Sequence, residues 1–271
     1  FPTLSGAMVR EIENRVMGLL DGSPTGVFNR QIFDGLSSMV DYTDLSDDLW
    51  RDDVPALVAR ALKGSVAPAA ICTHPHLIPT LKSELLTVGS HISTCSVTGS
   101  FPSGNQDPAS LAGEVSELVQ VGAEEIDIVA PYETLLETGG VEAIVKATSL
   151  CAEAAQSSLL KVIIESGQLE DLDLVYRAAR AAAENGADFV KTSSGRTAEG
   201  ASEAHVAAIA LAVLDSGDLV GIKVSGGVSS PAFALRLNQI VVTALGEAWN
   251  DQALFRIGSS SFGGSTSGSS Y

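Results

Sequence analysis

Basic residues, aromatics and cysteines are all scarce in this 271-residue chain, and each shortage removes a class of function. Sixteen Lys and Arg stand against 33 Asp and Glu, giving a formal net charge of −17. Nucleic acids and anionic membrane surfaces are held by clustered Lys and Arg, so neither is expected as a partner. An anionic small molecule stays open where a local positive site overrides the global field. The cysteines, Cys72, Cys95 and Cys151, lie far apart and lack CxxC or zinc-ligand spacing. That argues against a disulfide framework and for a reducing, cytoplasmic compartment. No apolar run approaches the ~20 residues that span a bilayer. Arg10, Glu11, Glu13 and Arg15 interrupt the stretch a signal peptide would need. Aromatics make up 5%, so a core must come from Ala, Val, Ile and Leu, as in parallel strands covered by helices.

What remains is regular alternation. Residues 6–20 carry Met8, Ile12, Val16 and Leu19 or Leu20 on one helical face. A Gly/Pro/Asn loop follows, around Asp21–Asn29. Eight short apolar runs then predict strands at Ser38–Tyr42, Ala69–Thr73, His91–Val97, Glu125–Ala130, Leu159–Glu165, Asp188–Lys191, Val220–Lys223 and Leu254–Gly258. Helical patterns lie between them, for example at Pro55–Lys63, Leu111–Val121, Leu169–Asn185 and Ala201–Asp215. Eight strand–helix repeats predict an α/β fold, a (β/α)8 TIM barrel with an extra N-terminal helix and a flexible C-terminal tail. The expected organisation is a helix and loop over 1–33, a catalytic barrel over 34–258 and a Gly/Ser-rich tail over 259–271. A doubly wound open sheet is the runner-up. It usually carries a Gly-rich loop after its first strand, and here that segment is Thr43-Asp44-Leu45-Ser46-Asp47-Asp48.

Barrel enzymes draw their reactive groups from the C-terminal ends of strands. Two neighbouring strands end in lysine, at Lys191 and Lys223, and Asp127 sits within the apolar run Glu125–Val129. Lysine is almost never fully buried unless paired or working. Adjacent strands lie ~4.8 Å apart, so two inward ammonium groups would approach closely and disfavour each other's protonation. A neutral amine is what attack on a carbonyl requires. The pair therefore reads as one nucleophile and one tuner, with Asp127 as proton shuttle or counter-charge. Gly226, Gly227 and Val228 after the seventh strand, and Gly258, Ser260 and Ser261 after the eighth, form small-residue loops where barrels frequently bind phosphate. Arg196 could add a charge there. Asp41 and Thr43 could bond a sugar hydroxyl or orient the lysines. Lys161 and Glu165 read equally as a supporting ion pair or as direct participants. His74 and His76 form an HxH with no third ligand, so no metal site is expected.

At these residues the chain resembles the deoxyribose-phosphate aldolases, from about Val40 to Tyr271. The motifs are Val40-Asp41-Tyr42-Thr43, Ala70-Ile71-Cys72, Gly122–Asp127, Lys161–Gly167, Gly186–Gly195 and Gly221-Ile222-Lys223. The resemblance implies a class I aldolase needing no cofactor, which reversibly cleaves 2-deoxy-D-ribose 5-phosphate to acetaldehyde and glyceraldehyde 3-phosphate. It implies that Lys191 forms the Schiff base, Lys223 tunes it and Asp127 moves protons. It also places Cys72 at the border of the active site, and Thr192 and Gly195 within the lysine motif as substrate contacts. The chain departs from the family at Val224-Ser225, where Pro-Ala is usual, and at Ser229, where Arg or Lys is common. The second departure implies one positive contact fewer for the phosphate. Expected partners are small sugar phosphates and aldehydes, and a homodimer stays open. Another Schiff-base barrel aldolase and a catalytically silent sugar-phosphate binder are the competing readings.

Overall fold

A computed structural model describes residues 6–27, 29–169, 171–228 and 230–262, with side chains from residue 10 on. Two helices come first, α1 (Gly6–Gly22) and α2 (Arg30–Ser38). The strands are β1 (Val40–Thr43), β2 (Ala70–Thr73), β3 (Ser93–Thr98), β4 (Glu125–Val129), β5 (Leu159–Ile163), β6 (Phe189–Lys191), β7 (Gly221–Ser225) and β8 (Phe255–Ser259). All eight are parallel, and β8 pairs with β1, which closes the barrel. Between them run α3 (Val54–Ala61), α4 (Ile78–Thr87), α5 (Pro108–Gln120), α6 (Tyr132–Thr138), α7 (Glu142–Ala155), α8 (Leu172–Ala183), α9 (Glu203–Ser216) and α10 (Pro231–Leu245). The expected eight-stranded barrel is thus the fold.

Strand geometry explains the sequence pattern. Successive side chains point to opposite faces, so each strand presents one set to the helices and one to the barrel interior. The outer set is apolar: Ile71, Ile126, Ile128, Val162, Val190, Ile222 and Ile257 are buried in one continuous core with the helices. Each such side chain contributes about 1.5–3 kcal/mol on full burial. The interior holds a separate small apolar cluster, Leu45, Ala70, Cys72, Cys95 and Val97, with Phe101 against it. The rest of the interior holds a charged cluster, with Phe189 beneath the guanidinium of Arg256.

The helix expected at the N-terminus is α1. Its Ile12 and Val16 are buried, and it packs on α8 and α9. Arg15 fixes it there with a two-pronged pair to Asp215, at 2.6 and 2.8 Å. The side chain of Met8 lies outside the described residues. The second helix, α2, fills the stretch between the expected loop at Asp21–Asn29 and the expected first strand, and takes Ser38 from that strand. Its start is set by Asn29, whose side chain accepts from Ile32 N at 3.0 Å. Of the expected tail, Ser259 belongs to β8 and Phe262 stacks on Phe33 of α2; residues 263–271, including Tyr271, lie outside the described residues. Among the described residues no helix is long and apolar enough to cross a membrane.

Candidate active site

Seven ionisable side chains meet inside the barrel: Asp41 of β1, Glu125 and Asp127 of β4, Lys161 of β5, Lys191 of β6, Lys223 of β7 and Arg256 of β8. Asp127 divides its two oxygens between two sets of donors. Its Oδ2 receives Lys191 Nζ at 2.6 Å and Lys223 Nζ at 2.7 Å. Its Oδ1 receives Lys161 Nζ at 3.1 Å and the thiol of Cys95 at 3.3 Å. Lys223 also reaches Asp41 Oδ2 at 2.6 Å. Lys161 touches three carboxylates, Glu125 at 2.5 Å, Asp41 at 3.0 Å and Asp127. Arg256 closes the lower side, holding Asp41 at 2.6 Å and Glu125 at 2.9 Å. Four cationic side chains thus face three carboxylates.

Burial opposes the charges on Asp41, Asp127, Lys161, Lys223 and Arg256, and their partners overcome it. Burial pulls Lys161 down, but Asp127, Asp41 and Glu125 outweigh it and hold the ammonium well above the ordinary lysine range. Lys223 is raised in the same way, by Asp127 and Asp41 against burial. Burial would raise Asp127, yet Lys161, Lys191 and Lys223 hold its carboxyl well below the carboxylate range. Asp41 is likewise lowered by Lys161, Lys223 and Arg256 against burial. Lys223 is therefore a persistent positive charge in register with Lys191 on the neighbouring strand.

Above this cluster the barrel mouth opens into a cavity of about 370 Å³. Of the three interior lysines, Lys191 lines it; Lys161 and Lys223 are fully buried beneath. The cavity also takes its walls from Thr43, Gly195 and Arg196, and from both small-residue loops, at Gly226, Gly227, Val228, Gly258, Ser260 and Ser261. Ser259 of the same loop joins them, and Asp44, Leu45, Ser46, Ser194 and Ser225 add to the lining. Gly226 has φ 79, and a Cβ there would lie 2.9 Å from Gly200 Cα, so the two loops touch backbone to backbone. The loop after β7 leads into α10, whose first turn is capped by Ser230 accepting from Phe233 N at 3.1 Å. Ser229 lies outside the described residues.

The other candidates sit lower. Asp41 is buried among Lys161, Lys223 and Arg256. Thr192 spends its hydroxyl on the β7 backbone, donating to Ser225 O and accepting from Ser225 N, both at 3.0 Å. Cys72 pairs in register with Cys95; the Cys95 thiol hydrogen-bonds it and lowers its pKa, while burial pushes Cys95 up. The suggested pairing of Lys161 with Glu165 does not form. Lys161 points inward, whereas Glu165, at φ 49, turns out of strand alternation and accepts from Ser194 N and Thr197 Oγ1. Glu125 and Arg256 were overlooked. Their signal was present, a charge at an inward position of the runs Glu125-Ile126-Asp127 and Phe255-Arg256-Ile257. Among the described residues, two sets of three donors lie within 4.8 Å of one another, Cys72/Cys95/Asp127 and Asp41/Cys95/Glu125. Their carboxylates already carry lysine or arginine nitrogens, which is poor preparation for a metal ion.

The arrangement can hold an amine next to a carboxylate and a fixed positive charge, at the floor of a pocket walled by small residues. Comparison with known proteins gives the family and the fold. The family model described as DeoC/LacD family aldolase matches residues 34–260. A provisionally named deoxyribose-phosphate aldolase from Coccidioides immitis is 25% identical, with a TM-score of 0.71 and 95% of each chain covered. One from Toxoplasma gondii ME49, also provisionally named and in its apo form, is 25% identical with a TM-score of 0.77, covering 84% of this chain and 91% of that one. The tetrameric deoxyribose phosphate aldolase of Aeropyrum pernix is 24% identical, with a TM-score of 0.67 and coverage of 96% and 95%.

Proposed function

The chain belongs to the DeoC/LacD aldolase family, and from that premise we propose that it reversibly cleaves 2-deoxy-D-ribose 5-phosphate to acetaldehyde and D-glyceraldehyde 3-phosphate through a Schiff base on Lys191. One observation carries the reading. Lys191 alone among the interior lysines reaches the cavity, and its Nζ shares an oxygen of Asp127 with the buried ammonium of Lys223.

The neutral amine of Lys191 attacks C1 of the open-chain sugar and loses water to give a protonated imine, an electron sink for the C2–C3 bond. Asp127, acting through an intervening water, takes the proton from the C3 hydroxyl. The bond breaks, glyceraldehyde 3-phosphate leaves and an enamine remains. Protonation at its carbon and hydrolysis then release acetaldehyde and restore the amine. Lys223 stays charged and favours the neutral form of its neighbour. Asp41 orients Lys223 and Lys161, while Thr43 and Gly195 face the sugar and Cys72 and Thr192 support the floor. Gly226, Gly227, Val228, Gly258, Ser260 and Ser261 receive the phosphate with backbone N–H groups, and Arg196 adds positive charge at the mouth.

The test is borohydride reduction in the presence of 2-deoxyribose 5-phosphate, followed by peptide mass mapping. A two-carbon or five-carbon adduct on the peptide bearing Lys191 is expected. Turnover with no adduct, or with the adduct on another lysine, would overturn the assignment. Offering acetaldehyde, dihydroxyacetone and pyruvate as alternative donors separates this reaction from those of other Schiff-base aldolases.

A further inference from the structure

We propose that Glu165 is a positioning residue for the phosphate end of the substrate, acting through the loop that carries Ser194, Gly195 and Arg196. The inference rests on the function proposed above and names a determinant of its phosphate preference.

Past the end of β5, Ile164 N bonds Lys191 O at 3.0 Å and Ser166 N bonds Thr192 O at 2.7 Å. The β5 side advances two residues while the β6 side advances one, so Glu165 is an extra residue, a bulge. Its φ of 49 is a left-handed conformation that a glutamate adopts at a cost. The bulge turns the side chain away from Lys161 and towards the loop after β6. There the carboxyl is fully buried. It accepts from Ser194 N at 3.3 and 3.1 Å with its two oxygens, and from Thr197 Oγ1 at 3.0 Å. Ser194 Oγ in turn accepts from Arg196 N at 3.1 Å.

This loop is wedged among its neighbours. A Cβ on Gly167 would sit 2.2 Å from Glu199 O, and one on Gly200 would sit 2.1 Å from Gly226 O. Ala201 N bonds Gly226 O at 2.9 Å, and the guanidinium of Arg196 bonds Leu45 O across the mouth. The β7 side contributes backbone packing, and the β5 side contributes the carboxyl of Glu165. Arg196 is the cationic side chain among the lining residues that stands exposed at the mouth. Where its loop sits therefore decides what an incoming phosphate meets. Lys191, by contrast, is held by Asp127 and not by this loop.

The experiment compares Glu165→Ala and Glu165→Gln with the unaltered enzyme on 2-deoxyribose 5-phosphate and on 2-deoxyribose. Loss of the buried acceptor leaves Ser194 N unpaired, while Thr197 Oγ1 keeps only Glu199 O at 3.0 Å, so KM for the phosphorylated sugar rises about tenfold in Glu165→Ala. Turnover of the unphosphorylated sugar, and kcat for both, stay within about twofold. Glu165→Gln keeps one carbonyl acceptor and falls between. Added to Arg196→Ala, Glu165→Ala changes KM little further, because both act through one side chain. An equal fall of kcat on both sugars, or an unchanged KM, overturns the proposal. Should Glu165→Ala melt below the assay temperature, Thr197→Val carries the test, with a rise in KM of about threefold confined to the phosphorylated sugar; no rise overturns it. Amide exchange over residues 193–197 separates this idea from the function itself. If the unaltered enzyme ignores the phosphate, the function fails, whereas exchange unchanged by Glu165→Ala removes the clamp whichever sugar is the substrate.

Discussion

Lys191 and Lys223 converge on one oxygen atom, Oδ2 of Asp127, at 2.6 and 2.7 Å. Two amines share one counter-charge, and Lys223 has a second one in Asp41. Of the two, Lys191 is the one that lines the cavity, where a carbonyl can reach it.

Replacing Lys223 with Leu removes the fixed positive charge beside Lys191. Imine formation is expected to slow by ~10²-fold near neutral pH, and by less at high pH, where solution removes the proton instead. Stopped-flow kinetics across the pH range check this. A loss independent of pH would count against the tuning role.

Asp127→Asn leaves the nucleophile in place but removes the base. Turnover is expected to fall by roughly 10²–10⁴-fold. Borohydride trapping at Lys191 should persist, measured by mass spectrometry. Loss of trapping together with turnover would make Asp127 a determinant of imine formation rather than of bond cleavage.

Lys161→Met strips the one cation shared by Asp41, Glu125 and Asp127. Breaking a buried pair on one side costs about 3–5 kcal/mol, a fall in melting temperature of roughly 10 °C at this size. Asp127 also loses a charge that holds its carboxyl down. The acid limb of kcat/KM is then expected to move to higher pH, by rate measurement on the folded variant.

The same cluster sets the pH range of stability. Asp41 and Asp127 have folded pKa values below the unfolded ~3.9. Their contribution is complete above that value and is lost as pH falls below it. Lys161 and Lys223 are raised above the unfolded ~10.4; their contribution is complete below that value and is lost as pH climbs past it. Calorimetry is expected to show the cluster's contribution level between about pH 4 and 10, with melting temperature falling beyond each edge. Lys161→Met should weaken both edges.

The barrel was legible because its outer strand faces are apolar and its helices amphipathic, a pattern set by burial alone. Lys191 and Lys223 were legible because each is a charge closing a short apolar run, although β7 itself continues past Lys223 to Ser225. Lys161, Glu125 and Arg256 were harder to place. A charge inside an apolar run shows that it is inward, but not which other strand supplies its partner, and closure brings Arg256 of β8 onto Glu125 of β4. Glu165 misled for a local reason. Alternation put it beside Lys161, and a single left-handed residue turned it away. The start of α2 hangs on the cap at Asn29, within a stretch whose Gly and Pro content reads as loop.

The four-to-three balance inside the barrel has a consequence for encounter. The cluster carries a net charge of +1, so the rest of the chain carries −18 of the overall −17, and a sugar phosphate drifts inward against a repelling field and meets attraction only at the mouth. Such repulsion is screened beyond ~8–10 Å at physiological ionic strength. Salt should therefore speed capture of the phosphorylated sugar, 2-deoxyribose 5-phosphate in cleavage and glyceraldehyde 3-phosphate in synthesis, while leaving capture of neutral acetaldehyde unchanged.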